Sequence, residues 1–509
     1  MRAKDTASGF VIGIDLGTQS LKVLVYDFVN KSVVTTARAP LDLISRRDGT
    51  REQEASWWLA AMRSCFAEIA ADIKQRVVAL AVSGQQHGFV AVGDGGQVLA
   101  PVKLWNDTST VEECDAIHAA LGGVAQAISL AGNPILPGYT ASKVLWLKRH
   151  RYSDYVALRQ ILLPHDYINF HLTGRFAAEA GDASGTGFFD IKRRNWSREV
   201  LRAIDPDRDL LDVLPPILRP TEAVGEILPQ VAKELGLSPG VVVGVGGGDN
   251  MMGAIGTGTV MPGTLTISLG TSGTLYGYAE TVAISESQEF AAFCSSTGGY
   301  LPLVCSLNCT AATEVMRDLL SVPIDEFDSL LATSQPGAGG IISLPFFNGE
   351  RTPDCPHSKG AVFGLTAENA TRANLMRSVV EATILGLRTG LSAMQQRGLV
   401  AEVARVTGGG AHSRQWLQIV ADVLNVSVTL PPHDEAAAFG AALQALWCFK
   451  SERGEKLGIG DLIATHFGEA KDQVVRPIHA AVECYNEVYR RYLDLVVMMR
   501  NQDFNNVHA

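Results

Sequence analysis

Two stretches of this chain are built alike, and together they limit what it can fold into. The first, Val11-Ile12-Gly13-Ile14-Asp15-Leu16-Gly17-Thr18-Gln19-Ser20, is an apolar run holding one carboxylate. It breaks into a Gly-Thr turn and resumes at Val23, Leu24, Val25 and Tyr26. The second runs from Thr264 to Leu269, breaks at Gly270-Thr271-Ser272 and resumes through Leu275 and Tyr276. Each reads as strand, tight turn, strand. Glycine lets the backbone of such a tip approach a ligand, and consecutive turn N–H groups make an anion-binding concavity. A phosphate at the first tip with a divalent cation beside Asp15 is one reading. An ordinary hairpin with a surface Asp is the other, since short glycine motifs are common. The recurrence of the device, once in each half, predicts two domains of related architecture facing each other across a cleft. The length of 509 residues also exceeds what one core supports.

Composition narrows the partners. The chain is 47% hydrophobic and 19% charged, with net charge −10 and no basic run, which disfavours a nucleic-acid partner. None of the eight cysteines forms a CxxC pair, and Cys305 and Cys309 have no nearby His/Cys pair to complete a zinc site. Residues Met1 to Gly9 carry no apolar signal core, and no apolar run is long enough to span a bilayer, so a cytoplasmic protein with no membrane partner is expected.

Between the two hairpins the chain reads as alternating helices and strands. Ser56 is a plausible N-cap for a helix carrying Trp58, Met62 and Phe66 at helical spacing. The buried strand Val77 to Val82 ends at Ser83-Gly84-Gln85-Gln86-His87-Gly88. Polar residues between glycines at a strand's carboxyl end suit a ligand pocket. Leu104-Trp105-Asn106-Asp107 combines a ring face with polar atoms, a grouping that holds sugars and equally a strand-end Trp with polar caps. Lys143 to Leu147 reads as a buried helix, and Gly181 to Thr186 as a loop and helix start with no assigned chemistry. The β-branched run from Val241 ends in Gly246-Gly247-Gly248 and delivers Asp249 and Asn250 where backbone passes close to a ligand; Asp249 also suits the cap of the helix that follows. A third glycine turn, Gly408-Gly409-Gly410 with His412-Ser413, joins a strand to a helix N-terminus, a ready phosphate site. Residues 438–449 form a small-residue buried helix, 451–460 a charged linker, and a helical tail carries Tyr485, Val488 and Tyr492.

Three glycine turns and two placed aspartates describe a nucleotide-phosphate machine without a P-loop: there is no GxxxxGK[ST], and the lack of an intact GxGxxG disfavours a dinucleotide dehydrogenase. Phosphoryl transfer to an alcohol requires phosphate-binding N–H groups, a metal, in-line positioning and a carboxylate to accept the hydroxyl proton.

The ordered motifs GIDLGTQS, SGQQHG, LWND, PGYTASKVLW, GGGDN, SLGTSG, GERTP and TGGGAHS resemble the FGGY family of carbohydrate kinases, most like its xylulokinases, from about residue 10 to about 450. Residues 137–146 are similar to one family signature, and the stretch from Gly360 to Glu381 to the other. The resemblance implies an α/β fold of two ribonuclease-H-like domains of the actin and hexokinase superfamily flanking a cleft. It places a sugar-binding domain at 10–254, a nucleotide-binding domain at 255–450, and a linker and helical tail packed on the second domain at 451–509. It implies ATP and Mg²⁺ as cofactors, with Asp249 as general base and Gln86, His87, Trp105, Asp107 and Asn250 as sugar contacts. Asp15 falls on the metal side. Gly17, Thr18 and Gln19 meet the γ-phosphate region, and Gly270, Thr271, Gly408, Gly409 and Ser413 the rest of the nucleotide. The activity implied is transfer of phosphate from ATP to D-xylulose, giving the 5-phosphate. Another ketose or a polyol, and a non-catalytic actin-like switch, stand as alternatives. Gln86 replaces a common Met and His165 a common Lys, which puts the exact sugar in doubt. Family members are often dimers, so a homodimer is admitted; the aromatic tail helix suits such an interface and equally suits packing within one chain.

Overall fold

The computed structural model describes residues 9–347, 349–467 and 474–500. It consists of two lobes, each built on one mixed sheet. Strands β1 (Phe10–Leu16), β2 (Ser20–Asp27) and β3 (Ser32–Pro40) form an antiparallel meander, followed by helix α1 (Ala55–Glu68) and by β4 (Val77–Gly84), which runs parallel to β1. Helices α2 (Thr140–His150) and α3 (Pro164–Thr173) follow. Then come β5 (Ala223–Glu226), β6 (Val242–Gly244), β7 (Gly247–Gly248) and helix α4 (Asp249–Gly256). The first sheet has the order β5-β6-β4-β1-β2-β3, with β7 also paired to β4.

Lobe two repeats the plan. Strands β8 (Gly263–Leu269), β9 (Gly273–Gly277) and β10 (Leu303–Ser306) are antiparallel. After helices α5 (Thr310–Leu319) and α6 (Arg372–Gln395), strand β11 (Ala401–Thr407) joins β8 in parallel. Helix α7 (Arg414–Leu424) leads to β12 (Ser427–Thr429), parallel to β11; helices α8 (Ala436–Glu452) and α9 (His479–Arg500) complete the described chain. The order β10-β9-β8-β11-β12 matches β3-β2-β1-β4-β6 of the first sheet, so the repeated hairpins occupy equivalent places in two equivalent sheets.

Alternation along β1 explains how its sheet is covered. Ile12 and Ile14 pack with Trp58, Met62 and Phe66 of α1, whereas Val11 joins the cluster that includes α8. Helix α1 begins at Ala55 after Glu54, and no side chain caps it, so Ser56 lies inside the first turn and is not the cap. The run from Val241 is also interrupted. Gly246 adopts φ +70°, and a Cβ there would lie 2.1 Å from Val82 O, so the strand breaks and resumes as β7 beside Ser83 and Gly84.

The lobes are joined by exchanged helices. Helix α8 follows lobe two's strands in sequence but lies on β1 of lobe one: a Cβ on Gly13 would meet Ala438 O at 1.8 Å. Helix α4 follows lobe one's strands but reaches lobe two, where Thr257 and Thr259 hydroxyls meet Thr266 of β8 at 2.5 and 2.7 Å. The two helices cross at Gly256 and Gly440, where a Cβ on either would stand 1.8 Å from backbone oxygen of the other. The tail helix α9 buries Tyr485, Val488 and Tyr492 in lobe two's core.

Candidate active site

The carboxyl ends of β1 and β4 lie side by side, so register alone puts Asp15 next to Ser83. The Ser83 hydroxyl donates to Asp15 Oδ1 at 2.9 Å. Burial raises the Asp15 pKa against the opposing effects of Lys22 and this hydrogen bond. Lys22 is itself paired with Glu435 at the start of α8, which ties the hairpin to the segment entering from lobe two. At the tip, Gly17 N–H donates to Ser20 O at 3.1 Å. The Thr18 hydroxyl donates to Gln85 Oε1 at 3.0 Å and accepts from Trp105 Nε1 at 2.9 Å, and Gln53 Nε2 donates to Thr18 O at 2.8 Å. Thr18 is therefore anchored by its side chain and its carbonyl, and Gln19 is the exposed residue of the turn.

Gln86 and His87 follow directly from β4. His87 takes φ +64°, and its imidazole packs against Tyr139 and Phe293, with ring centroids at 4.7 and 5.8 Å. Burial, with the charges of Lys143 and Arg351, drives its pKa well below the usual range, so the ring is neutral at pH 7. Arg351 comes from lobe two, so both lobes bear on this imidazole. Trp105 is half-buried, its indole N–H held by Thr18. Asp107, expected beside it in the sugar pocket, has no exposed surface. Its oxygens accept from Arg51 N at 2.8 Å, Lys103 Nζ at 3.2 Å, and Ser109 N and Oγ at 3.0 and 2.6 Å. Asp107 braces the turn that presents Trp105.

Asp249 opens α4 at the end of β7. Asn250 N–H donates to Asp249 Oδ1 at 2.7 Å, and Asn250 Nδ2 donates to Asp249 Oδ1 at 3.1 Å and to Gln86 Oε1 at 2.8 Å. Burial, then the neighbouring carboxylates of Asp15 and Asp182, push the Asp249 pKa up to about 7. Asp182 had no assigned chemistry from sequence. It is fully buried behind Gln86, with His165 Nδ1 at 2.8 Å from Oδ2. Burial opposes a charge on His165, but Asp166 and Asp182 overcome it and keep the imidazole protonated. His165, which stands where Lys is common, is therefore a buried cation on Asp182.

In lobe two the parallel pairing of β8 with β11 sets Ser268 beside Thr407 and brings the two glycine turns together. Gly408 has φ +84° and backs onto Leu269 O, while the space at Gly409 is open. Thr310 N–H donates to Gly270 O at 2.9 Å and Cys309 N–H to Thr271 O at 3.2 Å, which fixes the hairpin tip against the start of α5. Ser413 follows this turn, its N–H donating to Gly410 O at 3.1 Å. Its hydroxyl caps α7, accepting from Trp416 N at 3.0 Å, and donates to Asp328, which also accepts from Gln415 N at 3.1 Å. Among the described residues no three or more His, Cys, Asp or Glu are arranged to hold a metal ion, so a cation here would have one or two carboxylates and complete its shell from elsewhere. That is the donor set suited to Mg²⁺ on nucleotide phosphates, and buried Asp15, whose charge disfavours that of Asp249, fits it.

Two sheets of one topology, with glycine turns at their carboxyl ends and a raised carboxylate between them, define a class of phosphotransferases. The chain belongs to the FGGY family of carbohydrate kinases: the family's N-terminal domain matches residues 10–256 and its C-terminal domain residues 265–449. It is similar to the xylulose kinase of Haemophilus influenzae, 40% identical over 489 residues, covering 95% of this chain and 98% of that protein. It is also similar to the xylulose kinase of Escherichia coli strain K12, 32% identical over 509 residues, covering 96% and 99%. Its fold matches the crystal structure of the xylulose kinase from Rhodospirillum rubrum with a TM-score of 0.86 at 26% identity, covering 96% of this chain and 98% of that one. The two-lobed fold is that of FGGY kinases, and the protein is an ATP-dependent sugar kinase. Among the described residues no single helix is long and apolar enough to cross a membrane.

Proposed function

We propose that the sugar is D-xylulose and that Asp249 is the general base. The carrying observation is the placement of Asp249 at the start of α4, where Asn250 holds its Oδ1 and links it to Gln86, and where burial and the neighbouring carboxylates push its pKa up to about 7. A base poised near the working pH serves proton transfer best. Asp249 takes the proton of the sugar's terminal hydroxyl as that oxygen bonds to the γ-phosphorus and the bond to the ADP oxygen breaks. The proton ends on Asp249 and the phosphoryl group on the sugar. Neutral His87 offers Nε2 to a sugar hydroxyl, its Nδ1 being buried against Gly185; Asn250 offers its side-chain oxygen, and the half-buried Trp105 covers C–H groups. The sugar lies on residues 10–254 and the nucleotide on residues 255–450, against Gly17–Gln19 on one side and Gly270, Thr271, Gly408 and Gly409 on the other. Mg²⁺ held on the Asp15 side would neutralise phosphate charge during transfer. Asp107, Thr18 and Ser413 support these contacts through the residues they hold. The enzyme works in the cytoplasm, where ATP is supplied.

The test is a coupled ADP-release assay over D-xylulose, D- and L-ribulose, glycerol and other polyols. The highest kcat/KM is expected with D-xylulose. A higher value for any other member reassigns the substrate, and nucleotide binding with no sugar-stimulated ADP release would overturn the kinase mechanism drawn here.

A further inference from the structure

Lys143 is a lysine where the helix pattern calls for an apolar residue. It has no exposed surface, and its amino group meets backbone carbonyls. Burial lowers the Lys143 pKa to about 7 against the pull of Asp107, and a buried amino group is unfavourable unless its donors are used. Two of them are: Nζ donates to His87 O at 2.8 Å and to Gly138 O at 2.7 Å. The hydroxyl of Thr140, one turn earlier on α2, reaches the same His87 carbonyl at 3.2 Å. Tyr139, the residue before, packs its ring against the imidazole itself, tilted by 53° with centroids 4.7 Å apart. The first turn of α2 therefore holds His87 by its carbonyl and by its ring.

His87 needs such a hold. Its φ of +64° lies in the left-handed region, which a residue with a Cβ occupies only when its surroundings impose it. Released from α2, the backbone would relax to a commoner conformation and the imidazole would turn away from the wall it shares with Gln86. We propose that Lys143 is a positioning residue of the sugar site, its amino group fixing the left-handed backbone at His87 and through it the aim of the imidazole. The proposal rests on the reading of His87 as a sugar contact. Lys143 itself touches no reactant.

A double-mutant cycle tests this on the full-length enzyme: wild type, Lys143→Met, His87→Ala and the double variant, each with KM for D-xylulose and for ATP. Lys143→Met is expected to raise the sugar KM roughly tenfold, the scale of one misplaced hydrogen bond, and to leave the ATP KM within about twofold. In the His87→Ala background the same change should add little, since Lys143 acts through His87. If Lys143→Met fails to fold by circular dichroism, Lys143→Gln, which keeps two N–H donors on a shorter stem, is carried through the same cycle with the same expectation in smaller measure. If His87→Ala raises the sugar KM and the Lys143 change does not, or if the two effects add in full, the positioning role is wrong while the sugar-contact reading stands. If His87→Ala leaves the sugar KM unchanged, that reading falls and the proposal with it.

Discussion

Asn250 Nδ2 stands 2.8 Å from Gln86 Oε1, so the residue after the raised carboxylate is tied to the residue before the left-handed histidine. Both Nδ2 hydrogens are used, one on Gln86 and one on Asp249, and the Asn250 side-chain oxygen is left for a ligand. The tie also makes Asp249 replaceable without disorder. In Asp249→Asn the new amide keeps an oxygen for Asn250, so the wall survives while the base is lost. The variant should lose about 10²–10⁴-fold in kcat, with ATP affinity by calorimetry near that of wild type. Near-normal kcat would remove Asp249 as the base.

The pH profile follows from the same carboxylate. Asp249 must be ionised to accept a proton, and its pKa is raised to about 7. Activity is therefore full above that pH and declines as pH falls through it. The profile of kcat/KM for the sugar should show an acid limb near neutrality; a flat profile down to about pH 5.5 would contradict the burial-driven shift. Because Asp182 contributes to the shift, Asp182→Asn should move the limb to lower pH. A limb that stays in place would mean that burial and Asp15 set it alone.

Much of this site was legible from local pattern. The recurring strand–turn–strand, the glycine run before Asp249 and the small-residue helix at 438–449 each carry their meaning within about ten residues, and each takes its expected place. What was not legible depends on partners distant in sequence. That Asp328 holds the Ser413 hydroxyl, and that Arg51 and Lys103 hold the Asp107 carboxylate, could not be read from the residues around Ser413 and Asp107. Asp182 gave no signal, and Lys143 none beyond its place in the 137–146 signature, because a buried charge is recognised only by what surrounds it. The exchange of α4 and α8 between lobes was equally hidden: glycines at 256 and 440 announce a close approach only once the two helices are seen to cross.

That crossing carries its own prediction. A Cβ on Gly440 would stand 1.8 Å from Met252 O, a rigid backbone atom, so Gly440→Ala must push the helices apart. The loss should reach at least the upper end of the ~1–3 kcal/mol seen for overpacked cores. Differential scanning calorimetry should show a clear fall in melting temperature. Because α4 carries Asp249, kcat should fall in the fraction that remains folded. An unchanged melting temperature would show that the helices separate freely.

Two phenols on one face of α9 should behave oppositely. Tyr485 accepts from Arg377 Nη2 at 2.8 Å and donates to Glu381 Oε1 at 2.8 Å, and Arg377 Nε donates to the same oxygen at 2.7 Å. All three side chains are buried, so Tyr485→Phe leaves a buried charge pair short of a partner on each side. The cost should be about 1–3 kcal/mol, read as earlier unfolding and as faster amide exchange in the tail helix. Tyr492, seven residues on, is also buried, but among the described residues its hydroxyl has no hydrogen-bond partner. Tyr492→Phe removes an unpaired polar group and should be neutral or slightly stabilising. Neither residue is among those of the candidate active site, so kcat should hold in both. Equal effects on stability would mean that the Arg377–Glu381–Tyr485 network contributes nothing beyond the packing of two aromatic rings.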